Sequence, residues 1–163
     1  MKRNKASAAT GPASPADEWL HLDRQLCFAL YASSLAMTKL YKPLLEPLGL
    51  TYPQYLAMLV LWEQDGVSVS ALGQRLSLDS GTLTPLLKRL EAAELITRQR
   101  AVEDERRVDI HLTRSGRMLK KKAAAIPPQV GCASACSLEE MSFLTRRLHE
   151  LRKQLSDASS PNA

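Results

Sequence analysis

The chain has 163 residues, a formal charge of +5 and 5% aromatic residues. That length accommodates one domain, or one domain with appendages, and can bury a real core. The basic balance suits a polyanionic partner, nucleic acid or acidic lipid, while the low aromatic content argues against a platform that stacks single-stranded bases. No apolar run is long enough to span a bilayer. The basic start, Met1-Lys2-Arg3-Asn4-Lys5, lacks the apolar core of a signal peptide, so a cytoplasmic protein without membrane contact is expected. There the three cysteines are expected to remain thiols.

Residues 1–16 read as a disordered tail, because Ala6 to Asp17 is small, polar and Pro-containing. A long helix is predicted from about Asp17, with Leu22, Leu26, Ala29, Leu30, Leu40, Leu44 and Leu45 apolar. Pro43 and Pro47 allow only a kinked or terminating end, and Gly49 closes it. Its apolar stripe is broad, as if a second subunit covered it. Thr51 and Gln54 have capping-box spacing and open a helix to Glu63, followed by a turn at Gln64-Asp65-Gly66. Ser68 caps a short helix bearing Val69, Leu72 and Leu76. After a break at Ser77 to Asp79, another helix carries Leu83, Leu86, Leu87, Leu90 and Ala93. Two helices joined by a tight break form a helix-turn-helix.

The period then changes. Leu95 to Arg100 and Arg107 to Leu112 are strand-like and flank the charged Val102-Glu103-Asp104-Glu105-Arg106, which makes a wing. Thr113 caps a helix to about Ala125. Pro127-Pro128 is expected to end it, leaving Gln129 to Cys136 as a loop, before Ser137 and Glu140 open a last amphipathic helix. The expected fold is mainly α with a small β-wing: a winged helix-turn-helix with a helical dimerisation region. Residues 17–50 would be the dimerisation and sensor helix and 51–116 the DNA-binding region. Residues 117–157 would hold the C-terminal dimerisation helices and a cysteine-bearing loop, and 158–163 a tail.

On the predicted reading helix, Ser80, Thr82, Thr84 and Pro85 keep the leading end small enough to approach a groove floor. Lys88 and Arg89 follow one to two turns later, within reach of phosphates. Capping and a solvated basic face would explain the same residues. In the wing, Arg106 is the candidate for a minor groove, with Arg98, Arg100 and Arg107 adding phosphate attraction. Asp104 reads as an orienting partner for an arginine.

Asp104-Glu105-Arg106-Arg107 through Leu112-Thr113-Arg114-Ser115-Gly116 resembles the signature of MarR-type winged-helix repressors. Four further stretches sharpen the match: residues 25–34, 41–45, 51–55 and 79–85. Together they resemble the OhrR branch, the organic-hydroperoxide-sensing repressors, over residues of about 20 to 155. The resemblance implies a homodimer on a pseudo-palindromic duplex operator, with organic hydroperoxides as inducers and no cofactor. It also implies that Cys27, within Leu26-Cys27-Phe28-Ala29-Leu30-Tyr31, is the redox-sensing thiol. As a bare residue, Cys27 reads first as a packed core thiol.

Tyr31 lies one turn beyond Cys27. The resemblance assigns Tyr41 and Tyr52 to bonding the reactive sulfur across the dimer, although all three tyrosines also suit an ordinary core. The two-cysteine subclass places its resolving thiol in the predicted loop, so the resemblance implies that Cys132 is the resolving cysteine, bridging to Cys27 of the other subunit; Cys136 is the fallback or an inert neighbour. Zinc on Cys132 and Cys136 would need further ligands, and His21, His111 and His149 are scattered. Three rival readings remain: a repressor relieved by a non-covalent phenolic ligand, a thiol peroxidase, and a basic architectural protein.

Overall fold

The computed structural model describes residues 19–101 and 107–159. A 3-10 turn at Leu22–Arg24 precedes α1 (Leu26–Leu45), and a second at Glu46–Leu48 leads to α2 (Tyr52–Glu63). Next come β1 (Val67–Ser68), α3 (Val69–Leu76), α4 (Ser80–Ala92), β2 (Ile96–Arg100) and β3 (Val108–Leu112). The chain continues through α5 (Arg114–Ala123), α6 (Ile126–Ser134) and α7 (Leu138–Ala158). It divides into two compact units, Met1–Leu40 and Tyr41–Ala163.

The first helix starts later than its periodicity predicts. The expected opening residues Asp17 and Glu18 lie outside the described residues, as does the tail before them. Gln25 is extended after the 3-10 turn, and its carbonyl accepts the first α-helical bond, from Ala29 N–H. No Gly or Pro marks this break, so the apolar spacing runs through it unseen. At the other end Pro43 is tolerated within α1, which stops two residues later. Gly49, at φ 65, then closes the following turn.

The second unit holds the core. Leu45, Tyr55, Met58, Leu61, Leu72, Leu83, Leu87, Leu90, Ile96 and Ile110 are fully buried. Caps set the helix starts around them. Thr51 N–H donates to Gln54 Oε1 at 2.8 Å, and Ser68 Oγ accepts from Ala71 N–H at 3.2 Å. Thr113 Oγ1 accepts from Gly116 N–H at 3.0 Å, and Ser137 Oγ from Glu140 N–H at 3.2 Å. The sheet is antiparallel in the order β1-β3-β2, with Val67 opposite Ile110 and Ile96 opposite Leu112. Strand β1 is only two residues long, too short to show an alternating pattern.

One expected loop is a helix. Pro127 and Pro128 do not end the preceding helix; they occupy the first turn of α6, where a backbone N–H is not needed. The helix runs on to Ser134, and left-handed Ala135 (φ 52) stops it. Cys132 therefore sits in the last turn of α6, and only Cys136 follows the stop. Among the described residues, no helix is long and apolar enough to cross a membrane.

Candidate nucleic-acid interface and thiol sites

The leading end of α4 is built by Asp79. Its Oδ1 accepts from Thr82 N–H at 2.9 Å and its Oδ2 from the Thr82 hydroxyl at 2.9 Å. These bonds hold the Asp79 carboxyl below its ordinary pKa, the backbone N–H being the larger cause. The Thr82 proton is thereby committed to the cap, leaving an oxygen lone pair and a methyl group for any ligand. Leu83, Leu86, Leu87 and Leu90 face the core, so Ser80, Thr84, Pro85, Lys88 and Arg89 are left exposed. Pro85 has no N–H for the Gly81 carbonyl, which leaves that exposed acceptor without its helical partner.

Several exposed residues of α4 border two different hollows. Ser80 and Thr84 line a groove of about 920 Å³, together with Ser70 and Gln74 of α3 and Arg98 and Arg107 of the wing. Thr82, Pro85 and Arg89 instead border a depression of about 190 Å³ beside Thr51 and Pro53. Ser70 and Gln74 were not singled out from the sequence. Their signal was a polar pair four apart, opposite the buried Leu72.

The wing arginines are not equivalent. Arg98 Nε donates to Glu91 Oε2 at 2.8 Å, which ties β2 to α4 and holds the Glu91 carboxyl below its usual range. Arg107 pairs with Asp109 at 2.8 Å. Among the described residues, Arg100, Lys88 and Arg89 have no carboxylate partner, so their charge is available to phosphate. Arg106 and Asp104 lie outside the described residues.

The three thiols are free; Cys27 and Cys132 are exposed and Cys136 is half-buried. Cys27 is the second residue of α1, and exposed Tyr31 follows one turn later. Both belong to the first unit. In the second unit, the Tyr41 ring lies 4.7 Å from that of Tyr52 and 5.8 Å from that of Tyr55. Tyr55 in turn meets Trp62 edge-on at 6.2 Å. Burial pushes the phenols of Tyr41, Tyr52 and Tyr55 above the usual tyrosine pKa, so each keeps its proton at neutral pH. Tyr55 and Trp62 were absent from the predicted site, since sequence spacing does not reveal ring contacts between helices. Among the described residues, no three His, Cys, Asp or Glu side chains gather as a metal site requires.

A helix-turn-helix with a small polar reading end, beside a hairpin carrying arginines, defines a winged-helix DNA-binding transcriptional regulator. The chain is 53% identical to the organic hydroperoxide resistance transcriptional regulator of Bacillus subtilis over 136 residues, covering 83% of this chain and 92% of the relative. It belongs to the MarR-type winged-helix regulators, in their OhrR branch. The family described as transcriptional regulator SarA/Rot matches residues 39–123. AbfR of Staphylococcus epidermidis superposes with a TM-score of 0.73 at 33% identity, covering 88% of this chain and 99% of AbfR. AbfR is also known reduced on DNA (TM-score 0.70, 34% identity, 86% and 98% covered) and in a disulfide-formed state (0.57, 35%, 83% and 96%).

Proposed function

We propose that this regulator is a homodimeric repressor that holds a pseudo-palindromic operator when reduced and releases it when an organic hydroperoxide oxidises Cys27. The observation that carries this reading is the placement of Cys27 in the first turn of α1, exposed to solvent. There an incoming peroxide can reach the sulfur. The likeness to an organic hydroperoxide resistance regulator, and to AbfR with reduced and disulfide-formed states, supports the same chemistry.

The Cys27 thiolate attacks the terminal peroxide oxygen, the O–O bond breaks, and the alkoxide leaves as an alcohol after taking a proton. Cys27 becomes a sulfenic acid. The Cys132 thiol of the other subunit then displaces its hydroxyl as water, giving an intersubunit disulfide; Cys136 is the fallback. Tyr41 and Tyr52 donate hydrogen bonds to the partner's thiolate before oxidation, for which their protonated phenols are suited. Tyr31 flanks the same sulfur from its own helix. On DNA, Ser80, Thr84 and Pro85 approach the bases, while Lys88, Arg89 and Arg100 meet phosphates. Thr82 serves mainly as the cap partner of Asp79.

Peptide mapping by mass spectrometry tests the covalent step after one equivalent of cumene hydroperoxide per subunit. The expected product is a Cys27–Cys132 cross-link between subunits. A Cys132–Cys136 bridge, or an unmodified Cys27, contradicts the proposal.

A further inference from the structure

Helix α2 joins two clusters. Its N-terminal half carries Tyr52 and Tyr55, whose rings pack at a tilt against that of Tyr41. Its C-terminal end is fastened to the base of the wing. Trp62 is buried, and its Nε1–H donates to the Gly116 carbonyl at 2.9 Å. In return, Lys120 Nζ donates to the Trp62 carbonyl at 2.8 Å. Three residues beyond Trp62, Asp65 accepts from Leu112 N–H at 2.8 Å and from Arg117 Nη1 at 2.9 Å.

This joint has no slack. A Cβ at Gly116 would stand 2.1 Å from the Leu95 carbonyl oxygen, which already accepts from Thr113 N–H at 3.1 Å. Leu95 leads straight into β2, and Leu112 ends β3, so the joint grips both wing strands at their base. Helix α2, which carries both clusters, is a rod of about 18 Å from end to end. Seven of its side chains are buried in a close-packed interior, and the edge-on contact of Tyr55 with Trp62 runs along it.

We infer that Trp62 is a positioning residue: its indole N–H bond to Gly116 makes the wing base follow any displacement of the Tyr41–Tyr52–Tyr55 cluster. The inference rests on the thiol-switch reading above, in which oxidation disturbs these phenols. A Trp62 that merely fills the core would carry no such coupling. Trp62→Phe separates the two roles, because it keeps an apolar ring and removes the N–H donor.

The chain has two tryptophans, so all proteins in the test carry Trp19→Phe and only Trp62 emits. Operator binding is followed by fluorescence anisotropy before and after one equivalent of cumene hydroperoxide, with remaining thiols counted in parallel. Reduced Trp62→Phe is expected to bind within about twofold of the control. Once oxidised, it is expected to keep an operator affinity about fivefold above the oxidised control, the weight of one net hydrogen bond. In the control, Trp62 emission is expected to shift on peroxide addition and to stay constant when Cys27→Ser is also present. This second readout leaves Trp62 intact, so it stands even if Trp62→Phe folds poorly.

Equal release of both proteins at equal thiol loss overturns the inference, as does operator release with unchanged Trp62 emission. If the control itself keeps operator after losing its thiols, the thiol-switch reading fails first, and this inference falls with it.

Discussion

The winged head and the two long helices use apolar residues in opposite ways. Between Leu50 and Leu112 leucines, isoleucines and aromatics turn inward, and α4 alone buries four leucines. By contrast, α1 buries only Leu45 and α7 buries nothing, while Leu26, Leu35, Phe143, Leu144, Leu148 and Leu155 stand exposed. A head with its own core can persist as a unit. Helices with uncovered stripes are half of an interface, and in the proposed dimer a second copy supplies the rest.

The largest test of this contrast removes the interface. Leu144→Glu combined with Leu148→Glu is expected to dissociate the dimer in sedimentation velocity and to weaken operator binding about 100-fold or more, since carboxylates resist burial in an apolar contact. The isolated head should keep its helical signal. If the double variant stays dimeric, the exposed stripe of α7 is not the interface.

A second test strains the head from within. Gly116→Ala places a methyl group against the Leu95 carbonyl and is expected to cost about 2–3 kcal/mol, read as a fall in melting temperature. Ser115→Ala, at the exposed neighbouring position, is expected to change little. Equal melting temperatures would show that the wing base can move aside.

Acid should act on the reading end. The Asp79 carboxyl lies below its ordinary value of 3.8 because Thr82 bonds its charged form. Its stabilisation is therefore complete above that value and is lost as pH falls below it toward the folded-state pKa. The melting temperature of wild type should drop more between pH 5 and pH 3 than that of Asp79→Asn. Parallel curves would remove the cap from the account. The smallest effect belongs to Arg100→Ala, which is expected to lower the slope of log affinity against log salt by about 0.9, one phosphate contact. Arg98→Ala should alter that slope less, because Glu91 already holds its guanidinium.

The head was legible because its signals are local. Thr51 with Gln54, Ser68 and Thr113 each lie within one turn of the helix they start, as Ser137 and Glu140 do at the start of α7. The misread segments lack that property. The break at Gln25 has an uninterrupted apolar pattern around it, and Pro127-Pro128 is compatible with both a helix end and a helix start. At the candidate site, the exposed face of α4 followed from the helix period, but its division between two hollows did not. The Tyr41–Tyr52–Tyr55 cluster and the Trp62–Gly116 bond arise from packing between segments up to 54 residues apart, beyond any local pattern.

In the proposed switch, oxidation of the thiol of α1 releases DNA from the head. Fluorescence anisotropy of a labelled duplex from the regulator's own promoter region tests it most directly, using reduced wild type and Cys27→Ser before and after stoichiometric cumene hydroperoxide. Release of wild type with full retention by Cys27→Ser is the predicted result. Equal release of both proteins, or of neither, would contradict it.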